Sequence, residues 1–188
     1  MRVVAGRLKG RKLGAPEGRD IRPTADKARQ AIFNIIEHGT LTDHALEGAR
    51  VIDVFAGTGA LGIEALSRGA AHGTFIEHNR AALAALEANL KACGLGPSEA
   101  RVLRSEAVNL AHATTPADFA FLDPPYGEDL AAPALQTLGT RGWLKDGALC
   151  VLELGRQDDF TPPAGFVVLD ERRYGAAHIV FLRFHKGS

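Results

Sequence analysis

Three carboxylates fall where a short apolar run ends: Asp53 in VIDVF, Glu77 in TFIE and Asp123 directly after FAFL. The first two flank Gly57-x-Gly59-x-x-Gly62, and Glu77 stands twenty residues beyond Gly57. In a strand, loop, helix unit, Gly57 and Gly59 let backbone come close to a ligand at the strand end, while Gly62 lets the helix pack tightly. Glu77, at the tip of the next strand, is placed to accept hydrogen bonds from ribose hydroxyls. On spacing alone this is a nicotinamide dinucleotide site. Asp53 argues otherwise: a dinucleotide would bring its doubly charged pyrophosphate to the strand end that this carboxylate occupies, and like charges repel.

A ligand that carries an ammonium and a sulfonium but no phosphate suits the same loop and is held by Asp53, and S-adenosylmethionine meets that description. The stretch Asp123-Pro124-Pro125-Tyr126 follows a fourth strand, in the crevice where open α/β sheets bind ligands. Taken alone, Pro-Pro after a strand is a rigid turn. Beside Asp53 and the glycine loop it has a chemical use. An exocyclic amine on a heteroaromatic ring is a poor nucleophile, because its lone pair is delocalised into the ring. Accepting both N–H hydrogens, through the Asp123 carboxylate and the Pro124 carbonyl, pulls that nitrogen toward tetrahedral geometry and aims its lone pair at a methyl group. Proline has no backbone N–H, so the turn offers acceptors only. Tyr126 would stack on a base that has left its own stack. Asp123 would also stabilise positive charge developing on nitrogen, and neither a metal nor a covalent nucleophile is required.

The elements that must position these residues are legible as periodicity. Strand-like runs at 51–55, 74–77, 101–104, 119–122 and 148–154 are separated by helical segments, among them Gly62 to Arg68 closed by Gly69. A second helix starts at Asn79 and carries Leu83, Leu86, Leu90 and Cys93 on one face before Gly94. Strand, helix, strand, repeated, predicts a parallel sheet covered on both faces. FVVLD at 166–170 and HIVFLRF at 178–184 are joined by a short polar turn, which predicts an antiparallel pair at the sheet edge. Upstream, Thr24 is the expected N-cap of a helix whose Ala28, Ala31, Ile32, Ile35 and Ile36 share a face until Gly39. The first fifteen residues, with Gly and basic residues between short apolar pairs, fit a small hairpin with its basic side chains on one face.

A chain of 188 residues supports one core with an appendage, and 46% hydrophobic residues with 23% charged is the composition of a soluble globular protein. No apolar run reaches the length that spans a bilayer and no signal-peptide core opens the chain, so a cytoplasmic protein is expected. Cys93 and Cys150 stand outside any Cys/His cluster and are expected to be reduced core residues, with no zinc site. His178 reads as a structural histidine and Trp143 as an aromatic packing at an edge. Zero net charge conceals an asymmetry: residues 1 to 29 hold nine Lys/Arg against three acids, a local balance of +6, so the remainder sums to −6. A basic segment on an acidic body is either a solvated tail or a polyanion contact at one end.

Asp53-Val54-Phe55-Ala56-Gly57-Thr58-Gly59, Glu77, Ser105-Glu106-Ala107 and Asp123-Pro124-Pro125-Tyr126 resemble the motifs of class I S-adenosylmethionine-dependent amino-methyltransferases. More narrowly, Arg2-Val3-Val4-Ala5-Gly6, Gly10-Arg11-Lys12-Leu13, Arg22-Pro23-Thr24 with Asp26 and Arg29, and the run from Ala60 to Gly69 resemble the RsmD family. These are bacterial enzymes that methylate N2 of a guanine in small-subunit ribosomal RNA, and the resemblance covers nearly the whole chain. It implies a doubly wound, mostly parallel, seven-stranded Rossmann-like methyltransferase sheet with an antiparallel edge strand, over residues 24–188, and a basic N-terminal extension, residues 1–23, that contacts RNA. Asp53, Ala56, Gly57 and Gly59 would then face the methionine moiety of S-adenosylmethionine. Glu77 would hold the ribose with His78 beside it, Glu106 and Ala107 would border the adenine, and Arg22 and Thr24 would help close the pocket. Asp123, Pro124 and Tyr126 would hold the guanine amine, and Arg7, Lys9, Arg11 and Lys12 would grip phosphates. The substrate implied is ribosomal RNA or an assembling small subunit, met by a monomer without metal or membrane. Asp-Pro-Pro-Tyr is shared with DNA adenine and protein glutamine methyltransferases, which stay open as alternatives. An NAD-dependent oxidoreductase and an inert RNA-binding module are the remoter ones.

Overall fold

Uninterrupted apolar runs become strands buried on both faces, and this decides the architecture. A computed structural model describes residues 1–15, 23–125, 127–155 and 158–187, the side chains of residues 23–25 excepted. The order is α1 (Pro23–His38), β1 (Arg50–Val54), α2 (Ala60–Ser67), β2 (His72–Glu77), α3 (Arg80–Ala92), β3 (Ala100–Arg104) and β4 (Ala117–Leu122). Then follow α4 (Ala131–Thr140), β5 (Leu144–Gly155), β6 (Phe166–Tyr174) and β7 (Ala177–Phe184). The strands form one seven-stranded sheet in the order β3-β2-β1-β4-β5-β7-β6. The first five strands pair in parallel, and β7 runs antiparallel to both β5 and β6. The edge pair is therefore as the sequence predicts.

Alternation along each strand builds two cores. Val51, Phe75, Phe119, Phe121 and Phe181 point to one face, where Phe33 of α1, Leu66 of α2 and Leu86 of α3 meet them. Ile52, Val54, Ile76, Leu122 and Leu182 point to the other, under Leu135 and Leu138 of α4 and Trp143. Trp143 is 8% exposed and its indole N–H donates to the Ala111 carbonyl at 3.0 Å, so it is a core side chain and not an edge aromatic. Cys93 and Cys150 are buried free thiols, and His178 pairs with Glu171 across the β6–β7 ladder at 2.7 Å.

Further readings of the sequence need correction. α1 already begins at Pro23, whose fixed φ suits a first helical position, so Thr24 lies inside the helix and not at its N-cap. Helix α4 is an element the periodicity left unread, although Ala131, Ala134, Leu135 and Leu138 are spaced for one buried face. Its small side chains, Pro133 and Gly139 weaken the signal. Between β3 and β4 the chain crosses without a helix, and Ala107 and Leu110 cover the sheet in its place. Asn79 is the N-cap of α3, its Oδ1 accepting from the N–H groups of Ala81 and Ala82 at 3.0 and 3.1 Å.

The N-terminal segment is seated on the body. Val3, Leu8 and Leu13 are buried in the first core, and the segment folds back on itself through a single antiparallel bridge, Arg2 to Lys12. Glu64 of α2, fully buried, accepts from the N–H groups of Val4 and Ala5 at 2.8 and 2.9 Å, and from Arg68 Nε at 2.8 Å. Arg29 of α1 lies 3.5 Å from the same carboxylate and donates to the Arg2 carbonyl at 2.6 Å.

Candidate active site

The sheet delivers the chemistry-bearing residues to the carboxyl ends of its central strands. Past Val54 the chain turns sharply: Phe55 adopts φ 59°, a conformation that costs a side-chain-bearing residue energy and marks a place the surroundings over-determine. Gly59 follows at φ 78°, and a Cβ there would lie 2.4 Å from Leu86. A Cβ on Gly62 would lie 2.4 Å from the Phe75 ring and 3.1 Å from Asp53 Cβ, so α2 packs onto β1 and β2 only as glycine.

The loop is held from β2, from α3 and by a bond of its own. Gly57 N–H donates to Glu77 Oε2 at 2.9 Å, Gly59 N–H to the Ala56 carbonyl at 2.7 Å, and Ala56 N–H to the Ile76 carbonyl at 2.9 Å. The Thr58 carbonyl accepts from Asn89 Nδ2 of α3 at 2.9 Å. Glu77 Oε1 in turn accepts from the N–H groups of His78 and Asn79 at 2.8 and 2.7 Å. Glu77 thus organises the loop itself, and a carboxylate with about four lone-pair sites retains room for a further donor.

Asp53 is 3% exposed and Oδ2 accepts the Gly62 N–H at 2.8 Å. Burial pushes its carboxyl up to about 8; the Gly62 hydrogen bond opposes the rise, and the charges of Asp123 and Glu77 add to it. Three acids from β1, β2 and the end of β4 therefore share one electrostatic neighbourhood. Asp123 is exposed at the tip of β4, and its N–H reaches the Val54 carbonyl at 3.4 Å, which keeps the two strand ends together.

Beside this cluster opens a cleft of about 230 Å³ whose walls include Pro124, Pro125, Leu130, Leu154 and Phe160. The expected proline turn thus forms one wall of the cleft, and the loop after β5 and the start of α4 form the others. On the opposite flank, Ala107 is buried, whereas Glu106 is exposed and accepts from Asn109 Nδ2 at 2.7 Å. His78 is exposed next to Glu77.

Of the basic candidates, Lys9, Arg11 and Lys12 are exposed, while Arg7 is ion-paired with Glu99. Arg22 and Tyr126 lie outside the described residues, and Thr24 is described only as helical backbone. The residue that spacing missed is Asn89. It sits three positions after Leu86 on the apolar row of α3 and is 3% exposed, and a lone amide in that row is the signal that points to it. Among the described residues no group of His, Cys, Asp and Glu could hold a metal, and no helix is long and apolar enough to cross a membrane.

Comparison with known proteins shows the family and the fold. A family model described as conserved hypothetical protein 95 matches residues 1–183. The chain is 40% identical to Ribosomal RNA small subunit methyltransferase D of Escherichia coli strain K12, over all of this chain and 92% of that one. It is 31% identical to the protein of the same name from Haemophilus influenzae, over 93% of this chain and 89% of that one. The solved structure of E. coli yhhF, described as a candidate methyltransferase, superposes with a TM-score of 0.82 at 35% identity, covering 99% of this chain and 98% of the other.

Proposed function

We propose, from the premise that this chain belongs to the RsmD family of methyltransferases, that it transfers a methyl group from S-adenosylmethionine to the N2 amine of a guanine in small-subunit ribosomal RNA. The observation that carries this reading is the cluster of three acids around the glycine loop. Glu77 and Asp123 make the strand tips anionic, and the buried Asp53 carboxyl gives up its proton only against a cation, so the cluster favours a cationic ligand and disfavours a pyrophosphate. That difference speaks for the methyl donor and against a nicotinamide dinucleotide.

S-adenosylmethionine, when bound, supplies an electrophilic methyl group on a sulfonium. The protein's own residues do the rest. Asp53 gives the cationic portion a buried counter-charge, and the backbone of Gly57 to Gly59 comes close to the ligand without side chains between. Glu77 keeps the loop in shape and offers its remaining lone pair to a ribose hydroxyl. Glu106 and Ala107 border the adenine, with His78 at the rim. Asp123 and the Pro124 carbonyl accept the two hydrogens of the guanine amine, and Asp123 stabilises the charge that develops on nitrogen. A guanine can reach them only after leaving its stack, and the cleft between Pro125 and Phe160 is the space that would receive it. Tyr126 would close over the base and Arg22 and Thr24 over the donor. Residues 1–23, through Lys9, Arg11 and Lys12, would contact the RNA backbone, with Glu99 competing with phosphate for Arg7. This is the work of a monomer in the cytoplasm, where the small subunit is assembled.

The test is methylation of ribosomal RNA, free or in small subunits, from cells lacking the protein, followed by nucleoside analysis. N2-methylguanosine is the expected product, and Asp123→Ala abolishes it while leaving S-adenosylmethionine affinity within about twofold, since it removes an interaction made with the acceptor. N6-methyladenosine, or no product from the unsubstituted protein, overturns the substrate assignment.

A further inference from the structure

Asn89 occupies a position on α3 where the apolar row calls for leucine, and burying a primary amide there is costly unless every bond is made. All are made. Oδ1 accepts the Gly14 N–H at 2.7 Å, and Nδ2 donates to the Gly14 carbonyl at 3.0 Å, so the amide offers Gly14 the pairing that a neighbouring strand would offer. The second Nδ2 hydrogen goes to the Thr58 carbonyl at 2.9 Å, between the two glycines of the loop. One side chain thus fastens the N-terminal segment and the glycine loop at once. Gly57 and Gly59 are held by Glu77 and Ala56, which leaves Thr58 as the loop residue tied to the N-terminal segment.

We propose that Asn89 is a positioning residue that couples the two ligands: RNA held on the N-terminal segment and methyl donor held on the glycine loop bind to mutual advantage through its amide. This rests on the functional reading above. Phosphates held by Lys9, Arg11 and Lys12 further stabilise the seating of residues 1–15 on the body, and Gly14 then holds the Asn89 amide more firmly in the plane that Thr58 needs. The loop is already ordered when the donor arrives, so less entropy is lost on binding, and linkage makes the effect reciprocal. A purely structural amide would stabilise the fold but would leave each ligand indifferent to the other.

The experiment measures the affinity of S-adenosylhomocysteine, which has no methyl to transfer, with and without small subunits from cells lacking the protein. Methyl transfer from S-adenosylmethionine to the same subunits is scored in parallel. The native chain binds about tenfold more tightly in the presence of subunits, within the usual range of coupling between sites. Asn89→Leu, which removes all three bonds, brings that ratio below about twofold. Gly14→Pro removes the N–H that Oδ1 accepts and leaves the Asn89–Thr58 bond in place. It lowers the ratio to the same extent while keeping subunit-free affinity within about twofold, and it decides the matter if Asn89→Leu does not fold. A native ratio near one, or variants that weaken binding equally with and without subunits, overturns the coupling. Failure of the native chain to methylate the subunits overturns the functional reading and the coupling with it.

Discussion

How much negative charge the strand tips can hold at one time is set at the level of single residues. Asp53 lies beneath the glycine loop with its carboxyl raised to about 8 by burial, against an ordinary value of 3.8, so at neutral pH the ligand-free protein holds a proton there. Between these two values the folded state binds a proton that the unfolded chain has released, and stability therefore falls as pH rises from about 4 to about 8. A cation placed against Asp53 favours its ionised form, and binding must expel the proton. Calorimetry of S-adenosylmethionine binding at pH 7, in two buffers of different ionisation enthalpy, should show close to one proton released per ligand. Asp53→Asn, which keeps an oxygen for the Gly62 N–H, should release none, and affinity in the native protein should rise with pH up to about 8. Equal proton release from both proteins would remove Asp53 from this role.

At the level of elements, α2 is the piece on which the site is mounted. Its first turn carries the glycine loop and its Glu64 carboxylate gathers Val4, Ala5, Arg68 and Arg29 from three parts of the chain. Arg29 and Arg68 have side chains only 4% and 5% exposed, so removing their common partner strands buried charge. Glu64→Ala should cost about 3–5 kcal/mol, seen as a lower urea midpoint with an unchanged m-value. A loss of less than about 1 kcal/mol would mean that Asp26 and Glu37, which also pair with these arginines, carry the charge balance instead. The sequence shows Glu64 as the one acid of a mostly apolar helix, with Arg68 at i+4; nothing along the chain says that Arg29 and two backbone amides also come to it.

At the level of the whole molecule, residues 1–29 carry a local charge of +6 and the rest of the chain sums to −6. If RNA is gripped there, as proposed, binding would release counterions, and the logarithm of the affinity would fall linearly with the logarithm of salt concentration. Replacing Lys9, Arg11 and Lys12 together by Ala should flatten that slope by about 2–3, while Arg7→Ala changes it by well under one unit because Glu99 already engages it. Filter binding of small-subunit RNA between low and physiological salt would read both. An unaltered slope in the triple variant would locate the polyanion contact elsewhere on the chain.

What could be read from the sequence is what depends on neighbours along the chain. Buried parallel strands are apolar without interruption, a helix shows one apolar row closed by glycine, and a loop that must turn sharply under a ligand needs glycines at set intervals; VIDVF, the Asn79 cap and Gly57 to Gly62 each announce themselves in this way. Helix α4 escaped because small residues mark a buried face weakly, and the helix-free crossing from β3 to β4 because regular alternation suggests a helix wherever a parallel strand must be reached. The tertiary structure alone decided what depends on distance through space. A carboxyl pushed to about 8 requires burial beneath packed elements, with the charges of Asp123 and Glu77 adding from other strands, and a single Asn89 amide shared by Gly14 and Thr58 requires three segments to meet. Desolvation and hydrogen bonding act over a few ångströms of space, whatever the separation in sequence, and only the folded chain sets those distances.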